Sequence, residues 1–165
     1  TTLDPKLART MEPRAAAPHR RLETVKALAD AGVPVTVMVA PLIPALNDPE
    51  IEAILEAAAA AGARAAGFVA LRLPLEIKDL FAHWLETHRP DAARRIIGLV
   101  RAMHGGKAYR AQFGLRQRGS GPYADLMGKR FRAAVRRQGL DRPSPKLRTD
   151  LFRRPVPPGG QLGLL

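Results

Sequence analysis

Two short apolar segments, each preceded by a helix-like segment, constrain the fold of this chain more than any other feature. Residues 33–40 and 65–71 are apolar on both faces. This pattern is typical of buried parallel strands, because surface strands alternate apolar and polar residues. The order helix, strand, helix, strand therefore predicts an α/β fold with parallel strands, taken from a barrel or from a doubly wound sheet.

Helix start and end signals surround both predicted strands. Asp4 can cap and Pro5 can begin a short helix that ends near Met11. Apolar residues then recur at helical spacing until Gly32, whose freedom suits the end of a helix. We predict further helices over residues 49–61, 75–88, 90–103 and 123–138, and a loop over residues 41–46.

Two parallel strands are too few to form a closed core. A parallel pair with one helix layer leaves open edges and uncovered apolar faces. We therefore expect further strands from upstream sequence or from another chain, and poor stability of this chain alone. Residues 1–103 are interpreted as this incomplete unit, residues 104–140 as a basic, glycine-rich loop with an amphipathic helix, and residues 141–165 as an irregular Pro/Gly-rich tail.

The charge of the chain is concentrated in its second part. The net charge is +12, and residues 1–100 carry 12 basic and 12 acidic residues, whereas residues 101–165 carry 15 and 3. Such a block attracts polyanions through phosphate neutralisation and counterion release. The apolar segments are too short to cross a membrane, so we expect a soluble, cytoplasmic protein with no membrane partner.

Cysteine is absent from all 165 residues. This excludes disulfides, thiolate metal sites, cysteine nucleophiles and cysteine-ligated clusters within the chain. The five-residue spacing of His83 and His88 places them on different helix faces, and His104 lacks a complete phosphate-loop pattern. We therefore predict no metal site and no nucleotide triphosphatase, and the catalytic residues stay unassigned.

The basic region is a candidate nucleic-acid interface. Basic residues can neutralise phosphates, and tyrosines among them can stack on bases. The candidates are Lys107, Tyr109, Arg116, Arg118, Tyr123 and Arg130. The alternative is a solvated helix that docks the side bearing Leu126 and Phe131 on the rest of the chain.

Several short strings, in this order and spacing, resemble the later barrel units of radical S-adenosylmethionine (radical SAM) proteins. The branch they resemble is related to spore photoproduct lyase and is often described as DNA repair photolyase-like. The strings are Thr1-Thr2-Leu3-Asp4-Pro5, Glu12-Pro13-Arg14, Arg20-Arg21-Leu22, Ala31-Gly32-Val33-Pro34-Val35, Pro41-Leu42-Ile43-Pro44-Ala45-Leu46-Asn47-Asp48, Leu71-Arg72-Leu73-Pro74, Gly105-Gly106-Lys107 and Arg118-Gly119-Ser120-Gly121-Pro122-Tyr123-Ala124-Asp125-Leu126.

The resemblance implies the C-terminal part of a partial (β/α)6 TIM-like barrel, about strands four to six, followed by a basic, mainly helical extension. In such proteins a Cys-x3-Cys-x2-Cys loop holds a 4Fe-4S cluster that cleaves S-adenosylmethionine to a 5′-deoxyadenosyl radical. That loop is missing here, so the chain alone is not expected to be active, and its implied partners are the missing N-terminal barrel part and DNA. The expected function of the intact protein is a lyase-like activity in DNA repair.

The same resemblance, with the rule that barrel sites gather at the carboxyl ends of strands, predicts the cofactor-binding residues. These are Thr1, Thr2, Arg14, Pro41, Asn47 and Arg72. Thr1 and Thr2 would end the fourth strand and bond the ribose or carboxylate, Arg14 would pair with the carboxylate, and residues 41–46 would line the adenosyl pocket.

Plainer interpretations stand beside these. Asn47 is explained by helix capping, Arg14 by a solvated loop, and Arg72 by a structural partner such as a glutamate. Besides the radical SAM hypothesis, the chain could be a non-catalytic nucleic-acid-binding module that uses the basic region. A cofactor-independent α/β enzyme ranks last, because no acid-base pair stands out.

Overall fold

The computed structural model describes residues 1–109, 111–143, 146 and 148–153. In these ranges the chain is an α/β structure with α1 (Pro5–Met11), α2 (Pro18–Asp30), β1 (Thr36–Leu42), a 3-10 helix (Asp48–Glu50), α3 (Ile51–Ala60), β2 (Ala65–Ala70), α4 (Ile77–His88), α5 (Pro90–Met103) and α6 (Pro122–Arg137). No helix within the described ranges is both long and apolar enough to cross a bilayer. Residues 144, 145, 147 and 154–165 of the tail predicted to be irregular lie outside the described residues.

The two strands pair in parallel, as the sequence predicts. The register joins Thr36 to Ala65 and Val39 to Phe68, and an irregularity follows before Leu42. The helix, strand, helix, strand order and the α/β class are therefore confirmed for the described residues.

One face of this sheet is covered and the other is open. Val39 and Ala70 are buried in a core with Leu55 of α3 and Phe131 of α6. Because side chains alternate between faces, Met38 and Gly67 point to the opposite face. Met38 is 51% exposed there. The sheet therefore has helices on one side and an open, partly apolar surface on the other.

The two edges of the sheet also differ. Along the outer edge of β2, the amide of Ala66 donates to Leu140 O at 3.1 Å and the amide of Ala70 donates to Gln117 O at 2.7 Å. In the part of the chain that the structure describes, no strand pairs with the other edge of β1. The C-terminal region thus partly closes the β2 edge and leaves the β1 edge available.

A second apolar cluster lies beyond the strand ends. Leu71 and Leu73, which follow β2, pack with Leu85 of α4 and with Ile96 and Val100 of α5. The rings of Phe81 and Trp84 pack against this cluster, are half-buried, and stack with centroids 6.1 Å apart. This cluster holds the segment after β2 in place.

The first strand begins and ends later than predicted. Gly32 has φ of +78° and closes α2, so that the amide of Val33 donates to Leu28 O at 2.9 Å. This bond ties Val33 to the helix end, and Pro34 has no N–H to give to a ladder. The strand therefore runs over Thr36–Leu42 instead of 33–40, and it includes Pro41, which the sequence placed in a loop.

The buried side of α6 is also rotated from its prediction. Leu126 is 52% exposed, whereas Met127 is buried together with Ala124, Phe131 and Ala134. These four positions follow the three- and four-residue spacing of one helix face, and Leu126 lies off that face. The docking side predicted for Leu126 is therefore wrong, and the part predicted for Phe131 is confirmed.

Candidate functional site at the carboxyl ends of the strands

The carboxyl ends of β1 and β2 gather most of the predicted cofactor-binding residues. In parallel α/β structures the loops after the strands converge on one edge of the sheet, and binding sites form there. Thr1 and Asn47 meet Pro41 at the carboxyl end of β1, and Arg72 follows β2.

Asn47 joins three parts of this edge. It is fully buried; its Oδ1 accepts from the amide of Ile43 at 2.7 Å, and its Nδ2 donates to Thr1 O at 2.8 Å and to Pro41 O at 2.9 Å. Although Asn47 precedes the 3-10 helix, its side chain makes no capping bond. The capping interpretation is therefore wrong, since the side chain turns inward to satisfy backbone groups instead.

The residues before α1 are held by two carboxylates. The hydroxyl of Thr1 lies within hydrogen-bond distance of Glu12 Oε1, at 2.8 Å, and of Ala40 O, at 2.9 Å. The hydroxyl of buried Thr2 donates to Glu50, whose other oxygen accepts from the amide of Leu3 at 2.7 Å. Thr1 therefore lies beside the end of β1, and Thr2 is tied to the start of α3 through Glu50.

Glu12 belongs to the same group of contacts. It accepts from Arg21 at 2.8 Å. Burial raises the pKa of Glu12, but the hydrogen bonds from Arg21 and Thr1 outweigh this and hold the pKa below its usual value. The carboxylate is therefore ionised at neutral pH, and each of its two oxygens accepts one hydrogen bond from these partners.

Arg72 at the end of β2 keeps one unsatisfied donor. Its Nη2 donates to the hydroxyl of Tyr109 at 3.1 Å, and its guanidinium lies 5.8 Å from the centre of that ring. The Tyr109 ring lies 6.3 Å from the ring of buried His104, whose Nε2 is 3.3 Å from Leu71 O. Arg72 Nε is buried with no hydrogen-bond partner among the described residues. The structural partner is thus a tyrosine rather than a glutamate.

Arg14 stands apart from this group. It is exposed in the turn between α1 and α2, and it makes no hydrogen bond or ion pair with any residue in the described ranges. The structure therefore gathers Thr1, Thr2, Pro41, Asn47 and Arg72 near the strand ends and leaves Arg14 on the surface.

Two residues predicted to bind nucleic acid have partners inside the fold. The hydroxyl of Tyr123 donates to Oδ2 of buried Asp48 at 2.8 Å. Arg130 binds both carboxylate oxygens of Glu52, at 3.1 and 2.7 Å, and its Nη1 lies 3.6 Å from Asp48 Oδ2. These contacts attach α6 to the start of α3.

This network also shifts the acidity of its members. The hydrogen bond from Arg130 lowers the pKa of Glu52, and the same bond raises the pKa of Arg130. Burial and the hydrogen bond to Asp48 raise the pKa of Tyr123. The sequence interpretation missed Asp48 and Glu52, although the four-residue spacing between them gave a weak signal of one helical face.

The remaining basic candidates lie in or near the glycine-rich loop. Lys107 and Arg118 are exposed, and the guanidinium of Arg116 lies 5.5 Å from the centre of the Phe113 ring. Within the described ranges, one predicted nucleic-acid residue, Tyr109, forms a side-chain hydrogen bond with a predicted cofactor-binding residue, Arg72.

Comparisons with known proteins give relatives without an assigned function. Over 100 residues, 59% of the chain, the sequence is 34% identical to uncharacterized proteins of Mycobacterium bovis and Mycobacterium tuberculosis. The chain spans 29% of the length of these curated relatives. No family model matches the chain. No solved structure matches it at a significant level.

Proposed function

We propose that this chain is the C-terminal part of the barrel of a radical SAM protein, acting in DNA repair when it is joined to a cysteine-bearing N-terminal part. The observation that carries the proposal is the sheet itself, which has an available edge at β1, beside Thr1, and an open face. In this proposal β1 and β2 are strands five and six of a partial (β/α)6 barrel, and Thr1 and Thr2 end strand four.

The two edges of the sheet support this strand order. Leu140 and Gln117 already accept the outward amides of Ala66 and Ala70 on β2. Further strands therefore have room at β1 and little at β2. The open face with Met38 would then line the interior of the barrel, where the missing strands would cover it.

The strand ends offer groups that fit part of S-adenosylmethionine. The buried Nε–H of Arg72 has no hydrogen-bond partner among the described residues, and such a donor suits a carboxylate or a ring nitrogen. Asn47 is a positioning residue in this scheme, because both of its amide hydrogens are used by Thr1 O and Pro41 O. It fixes the backbone of the predicted adenosyl pocket, whereas Arg14 is exposed on the surface and stands apart from this group.

The iron-sulfur cluster does not fit this chain. With no cysteine in 165 residues, the chain has no thiolate to ligate a 4Fe-4S cluster. When S-adenosylmethionine is bound to such a cluster, it supplies a 5′-deoxyadenosyl radical that abstracts hydrogen. The part proposed for this chain is therefore to orient the cofactor and the substrate.

The experiment is to translate the coding sequence upstream of Thr1, express the intact protein, and reconstitute it anaerobically with iron and sulfide. We expect an in-frame Cys-x3-Cys-x2-Cys loop, and 5′-deoxyadenosine on reduction with dithionite in the presence of S-adenosylmethionine. Arg72→Leu should weaken S-adenosylmethionine binding while leaving the iron content unchanged. Absence of the cysteine loop, in the same chain or in a partner subunit, would overturn the proposal.

A second candidate is a nucleic-acid-binding module that needs no cluster. The observation that favours it is the surface of the basic region, where Lys107, Arg118 and Arg132 are exposed. Of the 27 basic residues in the chain, 15 fall within residues 101–165. This candidate predicts binding of the chain alone to DNA, with an affinity that falls steeply as the salt concentration rises.

A further inference from the structure

A cleft opens at the outer edge of β2, away from the residues gathered beyond the strand ends. Its volume is about 290 Å³, and it is lined by Met38, Gly67, Phe68, Arg118, Phe131 and Arg132. The lining contains two arginines and no acidic residue. None of the six residues was assigned to the cofactor.

The floor of the cleft is apolar because the side chain of Met38 covers the space that a side chain at Gly67 would occupy. A Cβ at Gly67 would lie 2.8 Å from Met38 Sδ, so Met38 extends across the glycine from the neighbouring strand. The Phe68 and Phe131 rings pack with centroids 4.7 Å apart beside it. The Met38 thioether therefore lines the cleft from the open face of the sheet and the aromatic edge lines it from the covered face, and each can contact a planar ring placed at the β2 edge.

The charged side of the cleft is not neutralised from within the fold. Arg118 and Arg132 are both exposed, and within the described ranges neither forms an ion pair or a side-chain hydrogen bond. Arg118 comes from the glycine-rich loop and Arg132 from α6. Two free guanidinium groups at one opening favour an anionic ligand.

The strand edge adds a backbone donor. The amides of Ala66 and Ala70 point outward to Leu140 and Gln117. Since amides on every second residue of a strand point to the same edge, the amide of Phe68 also points outward, between these two contacts. Residues 66 and 70 are about 13 Å apart along the strand, a gap that one nucleotide can fill.

We propose that this cleft binds one nucleotide unit of a single-stranded nucleic acid. Arg118 and Arg132 hold the phosphates on either side, and the base lies against Met38 and the edge of Phe68. Stacking and phosphate contacts of this kind bind single strands without a sequence preference. The proposal rests on the second candidate function, and it names the site where that function would reside.

The test measures the fluorescence anisotropy of a short labelled oligothymidylate with the whole chain at low salt. We expect Arg118→Gln/Arg132→Gln to weaken binding about tenfold or more, because it removes two phosphate contacts. The matched control is Arg94→Gln/Arg101→Gln, which removes the same charge from exposed positions on α5. It should change the affinity by less than about twofold at fixed salt.

A second comparison tests the base contact. The wild-type chain should bind oligothymidylate more tightly than an abasic oligomer of equal length, and Met38→Ala should remove this preference. All four substituted residues of the charge variants and Met38 are exposed, and circular dichroism verifies that the variants fold.

The outcomes separate the site from the function. If the wild-type chain binds but the two double variants weaken it equally, the cleft proposal is overturned and the broader nucleic-acid proposal survives. The cleft proposal is also overturned if the wild-type chain binds the abasic oligomer as tightly as oligothymidylate, or if polyglutamate displaces the probe as well as unlabelled oligothymidylate does. If the wild-type chain does not bind the oligomer at all, both the cleft proposal and the second candidate function fail.

Discussion

Replacing Asn47 by aspartate separates the two roles that this residue could have. Asparagine and aspartate are about equally good helix caps, so a capping role predicts a change within about 0.5 kcal/mol. In the structure, Asn47 instead donates two hydrogen bonds, to Thr1 O and Pro41 O, and accepts one from the amide of Ile43. Aspartate keeps only the accepted bond and places its carboxylate against two carbonyl oxygens in a fully buried position.

The magnitude follows from these three bonds. At a net value of about 1 kcal/mol each, Asn47→Ala should lower the free energy of unfolding by about 3 kcal/mol. Asn47→Asp loses two bonds and adds the cost of a buried charge, so the loss should be at least about 2 kcal/mol. For a chain of this length, each kcal/mol lowers Tm by about 2–4 °C.

The assay is urea unfolding followed by circular dichroism, with Asp4→Ala as the control. Asp4 is a true cap, whose Oδ1 accepts from the amide of Lys6 at 2.8 Å, so its loss should cost about 1 kcal/mol. If Asn47→Asp is as stable as the wild type while Asp4→Ala is destabilised, the bonds inferred for Asn47 are not formed and the reasoning is refuted.

Other contacts give further expectations for the same assay. Tyr123→Phe leaves the buried carboxylate of Asp48 without a hydrogen-bonded oxygen, and should cost about 1–3 kcal/mol. Glu52→Gln should cost about 0.5–1 kcal/mol at neutral pH, because its pair with Arg130 is partly exposed. Since Arg130 lowers the pKa of Glu52, this contribution to stability is fully present above the ordinary carboxyl pKa of about 4.3. The difference in the free energy of unfolding between the wild type and Glu52→Gln should disappear as the pH falls through the lowered pKa. A difference that persists at lower pH contradicts the pairing. Leu55→Ala, at a fully buried core position, should cost about 2–5 kcal/mol, and a cost below about 1 kcal/mol would mean that α3 does not pack on the sheet as described.

The local elements of this fold are readable from the sequence because they depend on short-range patterns. The short apolar run predicts β2 as a buried strand, and Asp4 and Pro5 predict the start of α1. The start of β1 is misjudged for a local reason as well. The amide of Val33 is hydrogen-bonded to the glycine-terminated end of α2, and an apolar pattern fits this residue equally well at the end of α2 or at the start of β1.

The site was predicted less well than the fold. The rule that parallel strand ends converge correctly brings Thr1, Pro41 and Arg72 to one edge of the sheet. It does not say which side chains turn inward. Tyr109 contacts Arg72 across 37 positions of sequence, and no pattern within a loop or helix encodes such a contact.

The sequence by itself determined the order of the elements, the parallel pairing of two strands, the absence of cysteine ligands and the basic C-terminal region. Only the tertiary structure decided that Asn47 joins three backbone segments and that Arg130 attaches α6 to α3. The physical reason is the sequence separation over which each kind of interaction acts. Periodicity and capping act within one or two turns of a helix. The buried amide of Asn47 and the partly exposed guanidinium of Arg130 instead bind partners that the packed fold brings to them, 46 and 78 positions away.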